Sequence, residues 1–228
     1  GRFPPQEMTV VPHPGAFSLA ASRLGWPLAE VTALTLHARP LERLALHLAP
    51  GARLLVLTED GKAPASIAAY LTDRGWGSSR LTLLERLGGS HERRLEGKAE
   101  GWPHPPGAEL NTLAIECVAG PKARPLSRSA GLPDDAFVHD GQLTKREVRA
   151  ATLSALAPLP GQTLWDVGAG SGAIAIEWLR AAPGTRAYAI ERDESRRDFI
   201  LRNAATLGVP ELNLIAGEAP AMLADLPA

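Results

Sequence analysis

Cysteine is nearly absent: Cys117 is the single one in 228 residues, which excludes an intrachain disulfide. Its setting, Ala114-Ile115-Glu116-Cys117-Val118-Ala119, reads as a buried strand, and a reducing, cytoplasmic compartment is expected. Long apolar runs are missing as well. No stretch approaches the roughly 18 uninterrupted apolar residues of a membrane-spanning helix, and Gly1-Arg2-Phe3-Pro4-Pro5 has no charged-then-apolar signal pattern, so no membrane partner is expected. Neither sign of charge is in excess. With 24 Lys and Arg against 25 Asp and Glu, the formal net charge is −1; nothing global attracts a phosphate backbone, and no nucleic-acid partner is expected. The six histidines show no paired helical spacing and no nearby cysteine pair, which leaves no basis for a metal site.

What is present is a globular balance of 45% apolar and 21% charged residues, enough for a real core. Residues 10 to 118 alternate short apolar runs with amphipathic stretches. Strands are expected over 53–58, 80–84 and 113–118, a helix over 64–73 and a hairpin or exposed loop over 88–107. The proline- and glycine-bearing stretch 121–132 reads as a linker between a domain over 1–120 and one over 133–228. Beyond it, Thr144 with Glu147 three residues on makes the pattern of a capping box. A buried strand over 163–167 and strands over 186–190 and 211–216 then alternate with helices over 173–182 and 194–207. Such alternation implies a parallel α/β sheet. The chain opens with glycine and stops at Asp225-Leu226-Pro227-Ala228, where this kind of domain needs its next strand; a fragment, with an incomplete second domain, is the expectation.

The chemistry sits in Leu164-Trp165-Asp166-Val167-Gly168-Ala169-Gly170-Ser171-Gly172-Ala173. Alternate glycines between a strand and a helix let bare backbone approach a ligand, and the free amides of the helix start favour negative or polar groups. Asp166 is placed to meet a cationic group. Glu191 ends the next strand with a carboxylate able to accept from both ribose hydroxyls, and Glu218, followed by Ala219, closes the third strand where an adenine would lie. Expected cofactor contacts are therefore Asp166, Gly168, Ala169, Gly170, Ser171, Gly172, Glu191, Glu218 and Ala219. A lone glycine-rich turn also fits a dinucleotide site or an empty structural turn. The Asp before the first glycine, the third glycine and the two acidic strand ends favour S-adenosylmethionine.

These motifs resemble class I methyltransferases, and two further segments narrow the resemblance. Pro133-Asp134-Asp135-Ala136-Phe137 with Gly141-Gln142-Leu143-Thr144-Lys145-Arg146-Glu147-Val148-Arg149 is similar to the cobalamin-pathway enzymes that methylate carbon 15 and decarboxylate. Ser18-Leu19-Ala20-Ala21-Ser22-Arg23-Leu24-Gly25-Trp26, Leu36-His37-Ala38-Arg39-Pro40 and Thr58-Glu59-Asp60-Gly61-Lys62-Ala63-Pro64 resemble the second half of a tetrapyrrole methylase acting at carbon 5. Together they resemble the decarboxylating precorrin-6Y methyltransferases. The resemblance implies a partial tetrapyrrole-methylase domain followed by a Rossmann-like methyltransferase domain. It implies methylation at carbons 5 and 15, decarboxylation of a precorrin and a homo-oligomer, a tetramer built from the C-terminal domain. Ring-carbon attack on a sulfonium methyl needs alignment more than acid or base, and the conjugated macrocycle is itself an electron sink, so no catalytic residue is singled out. The family also places Thr144 over the methionine end. Arg146, Arg149 and His37 are candidates for the substrate's carboxylates, set against a solvated helix face for the arginines and a structural role for the histidine. An RNA or protein methyltransferase and a non-catalytic cofactor-binding fragment stay open as alternatives.

Overall fold

The computed structural model describes residues 3–224 and 226. Gly1, Arg2, Asp225, Pro227 and Ala228, which carried the expectation of a fragment and part of the reading of the N-terminus, lie outside them. The chain forms two compact units, one of residues 1–38 and 50–123, the other of 39–49 and 124–228.

The first unit is built on a five-stranded sheet. Its strands are β1 (Thr32–Thr35), β2 (Arg53–Leu57), β3 (Arg80–Glu85), β4 (Arg93–Lys98) and β5 (Asn111–Glu116), in the order β1-β2-β5-β3-β4. β1 runs parallel to β2 and every other pairing is antiparallel. The central strands are apolar on both faces, Leu54, Leu55, Val56, Leu113 and Ile115 being fully buried. α1 (Ala16–Leu24) lies close on the sheet because Ala20 and Ala21 face Leu55, Leu84 and Ala114. Before α2 (Ala63–Asp73), the Asp60 carboxylate accepts from the backbone N–H groups of Lys62 and Ala63, both at 2.8 Å, the turn that Asp-Gly pairs favour. The expected strand-turn-helix unit is thus present, and the charged 88–107 stretch completes a hairpin with β3 through β4, a polar edge strand.

The second unit carries a three-stranded parallel sheet of β6 (Thr163–Val167), β7 (Arg186–Glu191) and β8 (Asn213–Ala216), in that order. With α3 (Arg146–Leu156), α4 (Ala173–Ala181) and α5 (Glu194–Thr206) it shares one core, in which Ala187 and Ala189 of the sheet meet Ile176, Ile200 and Leu207. The small alanines let the helices close onto the middle strand. Residues 39–49 join this unit: Leu46 packs against the same core and Arg43 pairs with Glu211 at 2.6 Å.

Two expectations fail here. β6 is not a buried strand: among the described residues it has β7 on one side and no strand on the other, and its outer face leaves Trp165 and Val167 41% and 49% exposed. The capping box at Thr144 does not form. Lys145 is the cap, with extended backbone at φ −64° and ψ 153° and no side-chain capping bond. α3 therefore starts one residue later than the Thr-to-Glu spacing requires, and the Thr144 carbonyl instead accepts from the Arg149 guanidinium.

Candidate active site

β6 ends in Asp166-Val167, and the backbone then turns sharply into α4. Gly168, Gly170 and Gly172 take φ of +74°, +59° and +77°, a left-handed region that costs an L side chain about 1–2 kcal/mol. This conformation, and not lack of space alone, selects glycine. A Cβ at Gly168 or Gly170 would meet nothing within 4 Å, so both face open volume. At Gly172 it would meet two Ile200 carbons at 3.1 Å. That third glycine is a packing position where α4 and α5 approach.

The turn is stitched to β7. The N–H groups of Gly168 and Ala169 donate to the Ile190 carbonyl at 2.9 and 3.0 Å. Glu191, 5% exposed at the strand's end, accepts from Gly170 N–H at 2.8 Å with one carboxylate oxygen and from Asp193 N–H at 2.9 Å with the other. It thereby fixes the turn to the start of α5, where the Asp193 side chain caps the helix by accepting from Arg196 N–H. Each Glu191 oxygen retains accepting capacity for a ligand hydroxyl.

A cavity of about 320 Å³ opens on the turn. Asp166, Gly168, Ala169, Gly170, Ser171, Ala173 and Ile174 form one side, Gln142, Leu143 and Thr144 another, and Arg196 a third. Thr144 and five of the expected contacts from the glycine segment are thus brought together. Gln142, Leu143, Ala173, Ile174 and Arg196 were not foreseen. The signal for Arg196 was available, since it lies one helical turn past the cap that follows the acidic strand end. Glu218 and Ala219 are exposed beyond β8 and absent from this wall; Glu218 pairs with exposed Arg192 at 3.3 Å.

The substrate candidates fare differently. Arg149 is fully buried. It donates to Glu177 at 2.8 Å, to Asp134 at 2.7 Å and to the carbonyls of Leu132 and Thr144, and its guanidinium lies 4.9 Å from the centre of the Phe137 ring. A cation so engaged has no face for a substrate, and the assignment is corrected to a structural one. Arg146 is exposed and donates to the Gly131 carbonyl at 2.8 Å. His37 is exposed in the turn after β1, in the other unit.

Asp166 supplies the charge of the site. Its carboxylate accepts from Ala175 N–H at 3.1 Å, inside the first turn of α4, where negative charge is favoured. Burial, helped by the neighbouring Glu191 and opposed by that N–H, pushes its pKa up. A cationic ligand requires the ionised form and displaces the proton. Affinity for it should therefore be full above the raised pKa and fall as pH drops through it, starting above the ordinary aspartate value of about 3.9. Titrations at successive pH values check this. Asp166→Asn should flatten the profile, and a profile identical in both proteins would remove Asp166 from the site.

Comparisons with known proteins place both halves of the chain. Residues 135–228 match the family model of the precorrin methyltransferase domain, and residues 2–101 that of the tetrapyrrole (corrin/porphyrin) methylases. A curated precorrin-6Y C(5,15)-methyltransferase [decarboxylating] from Sinorhizobium sp is 50% identical over 230 residues, covering 99% of this chain and 55% of that protein. One from Mycobacterium tuberculosis (strain CDC 1551 / Oshkosh) is 44% identical over 208 residues, covering 91% and 52%. The chain spans about half the length of the curated relatives it matches. Among solved structures, the C-terminal domain of precorrin-6Y C5,15-methyltransferase from Rhodobacter capsulatus is 48% identical, with a TM-score of 0.43 over 45% of this chain and 55% of that one.

Proposed function

The chain belongs to the decarboxylating precorrin-6Y C(5,15)-methyltransferases, and from that premise we propose that it serves S-adenosylmethionine-dependent methylation of carbons 5 and 15 and decarboxylation of precorrin-6Y in cobalamin biosynthesis. Residues 133–228 carry the cofactor half and 1–120 the tetrapyrrole-methylase-like part. The observation that supports this best is the bare backbone at Gly168 and Gly170, open to a cavity of about 320 Å³, with Asp166 on its wall and Glu191 directly behind.

The residues fit an adenosyl sulfonium. When bound, it supplies an electrophilic methyl on a good neutral leaving group. The chain's task is then to hold and orient. Glu191 accepts from the ribose hydroxyls with the capacity left after Gly170 and Asp193. Asp166 balances the positive charge. The backbone from Gly168 to Ser171 lies against the ligand, and Thr144 takes the methionine end. Glu218 and Ala219 stand on the adenine side, from their position after the third strand. Orientation is where most of the rate lies in such a displacement, since well-aligned reactants gain about 7–11 kcal/mol. Precorrin carboxylates remain the assigned partners of Arg146 and His37.

Calorimetry on the intact protein with S-adenosylmethionine and S-adenosylhomocysteine tests the cofactor half. Binding of both is expected, and Glu191→Ala should weaken it by about 1–3 kcal/mol, the loss typical of charge-assisted hydrogen bonds. No heat with either compound would remove the cofactor, and an unchanged affinity in the variant would place the ribose elsewhere. Uptake of a reduced corrinoid is the result expected for the substrate; binding of RNA in its place would favour an RNA methyltransferase.

A further inference from the structure

Gln142, Leu143 and Thr144 of the cavity wall belong to a stretch of irregular chain, residues 138–144, tied to the rest of the unit in three places. Its ends are held by buried side chains. At one end Asn203, 1% exposed, accepts from Val138 N–H at 2.7 Å and donates to the carbonyls of Val138 and Ser171 at 2.9 Å. At the other, Leu143 is buried in the core at 7% exposed and fully buried Arg149 donates to the Thr144 carbonyl. The middle is held differently. Arg196 donates through Nε to Asp140 at 2.9 Å and through Nη2 to Gln142 at 2.8 Å, and this ion pair is partly open to solvent, with side-chain exposures of 27% and 36%.

The tip between the anchors is a preformed turn. The second Asp140 oxygen accepts from Gln142 N–H at 3.0 Å, Gly141 sits at φ +98° with nothing near its missing side chain, and its N–H donates to His139 Nδ1 at 2.9 Å. Two buried anchors with a solvent-accessible ionic contact between them describe a flap that hinges at its ends and is released in the middle. Buried hydrogen-bonded groups are costly to separate, whereas an exposed pair is weak enough to open and close readily. Arg196 and Gln142 both line the cavity, so the contact that holds the flap also borders the ligand.

We propose that Arg196 is a positioning residue of this site: by gripping Asp140 and Gln142 it latches residues 138–144 over the cavity, and cofactor exchange requires that latch to open. The proposal rests on the cofactor reading above. It gives α5 two roles, with Asn203 as hinge anchor and Arg196 as catch, and it explains why the catch is an arginine. Only a forked guanidinium engages a carboxylate and an amide oxygen at once in this planar arrangement.

Stopped-flow dissociation of S-adenosylhomocysteine from the intact protein tests it, with Arg196→Ala, Arg196→Lys, Asp140→Ala and the Arg196→Ala/Asp140→Ala double variant. Each alanine variant should release the product about tenfold faster with a much smaller change in association, as for a lost closing contact. The lysine variant should fall between, and the double variant should be no faster than the faster single one, because both remove one interaction. Melting temperatures should stay near that of the parent, since the pair is exposed. Release within about twofold of the parent, or effects that multiply in the double variant, would overturn the latch. If the parent protein itself binds no S-adenosylhomocysteine, the cofactor reading fails and the latch falls with it.

Discussion

Arg149→Ala should be the most destabilising single replacement in the second unit, by about 3–5 kcal/mol, the range for removing one partner of a buried ion pair. Arg149 and Glu177 have side-chain exposures of 0% and 1%. Glu177 also accepts from Gly131 N–H at 2.5 Å and Leu132 N–H at 3.1 Å. Without the guanidinium, its carboxylate is left buried with two amides and no hydrogen-bonded counter-charge. At about 2–4 °C per kcal/mol for a protein of this size, the melting temperature should fall by roughly 10 °C. Arg149→Lys should recover little, because an ammonium cannot serve Glu177, Asp134 and two carbonyls from one plane. Removing both charges with Arg149→Met and Glu177→Leu should restore part of the loss but not all, since the Gly131 and Leu132 amides would then be unsatisfied. A normal melting temperature with weakened substrate binding would return Arg149 to the substrate site.

Gly170→Val should have the largest effect on ligand binding. A valine at φ +59° is strained by its own backbone, β-branched residues being true outliers there, and its methyl groups would stand in the volume the ligand takes. The Gly170 N–H that donates to Glu191 would shift with it. Loss of affinity for S-adenosylhomocysteine by at least about 100-fold, roughly 2.7 kcal/mol, is expected by calorimetry. Gly170→Ala should lose less. At Gly172 the damage should register as lost stability, because there the obstruction is Ile200 and not a ligand. Comparable affinity in the parent and the Gly170→Val protein would mean that the turn is not the binding surface.

The cofactor half was legible because its signals are local. A short apolar run into Asp166-Val167, alternate glycines and then a helical period fix a strand-turn-helix with little help from the rest of the chain, and β6 and α4 appear where the periodicity put them to within a residue. The same holds for β7 and α5, where Asp193 caps the helix. What was not legible depends on partners distant in sequence. Arg149 on an amphipathic helix reads as solvated until Glu177 is seen beside it. The clue was Glu177 itself, a lone carboxylate inside Ala173-Ile174-Ala175-Ile176-Glu177-Trp178-Leu179, which cannot be buried without a cation. Residues 39–49 carry nothing local that assigns them to the second unit, yet Leu46 and Arg43 do so through Gly208 and Glu211. Thr144 matched the capping pattern and still failed, because Arg149 competes for its carbonyl and Lys145 stays extended.

The most direct test of the central claim is a crystal structure of the intact protein grown with S-adenosylhomocysteine. Density for the ligand is expected along the turn at 168–171, with its methionine end toward residues 142–144 and both ribose hydroxyls within hydrogen-bonding distance of the Glu191 carboxylate. Density for the ligand away from that turn, or a ribose with no contact to Glu191, would contradict the account.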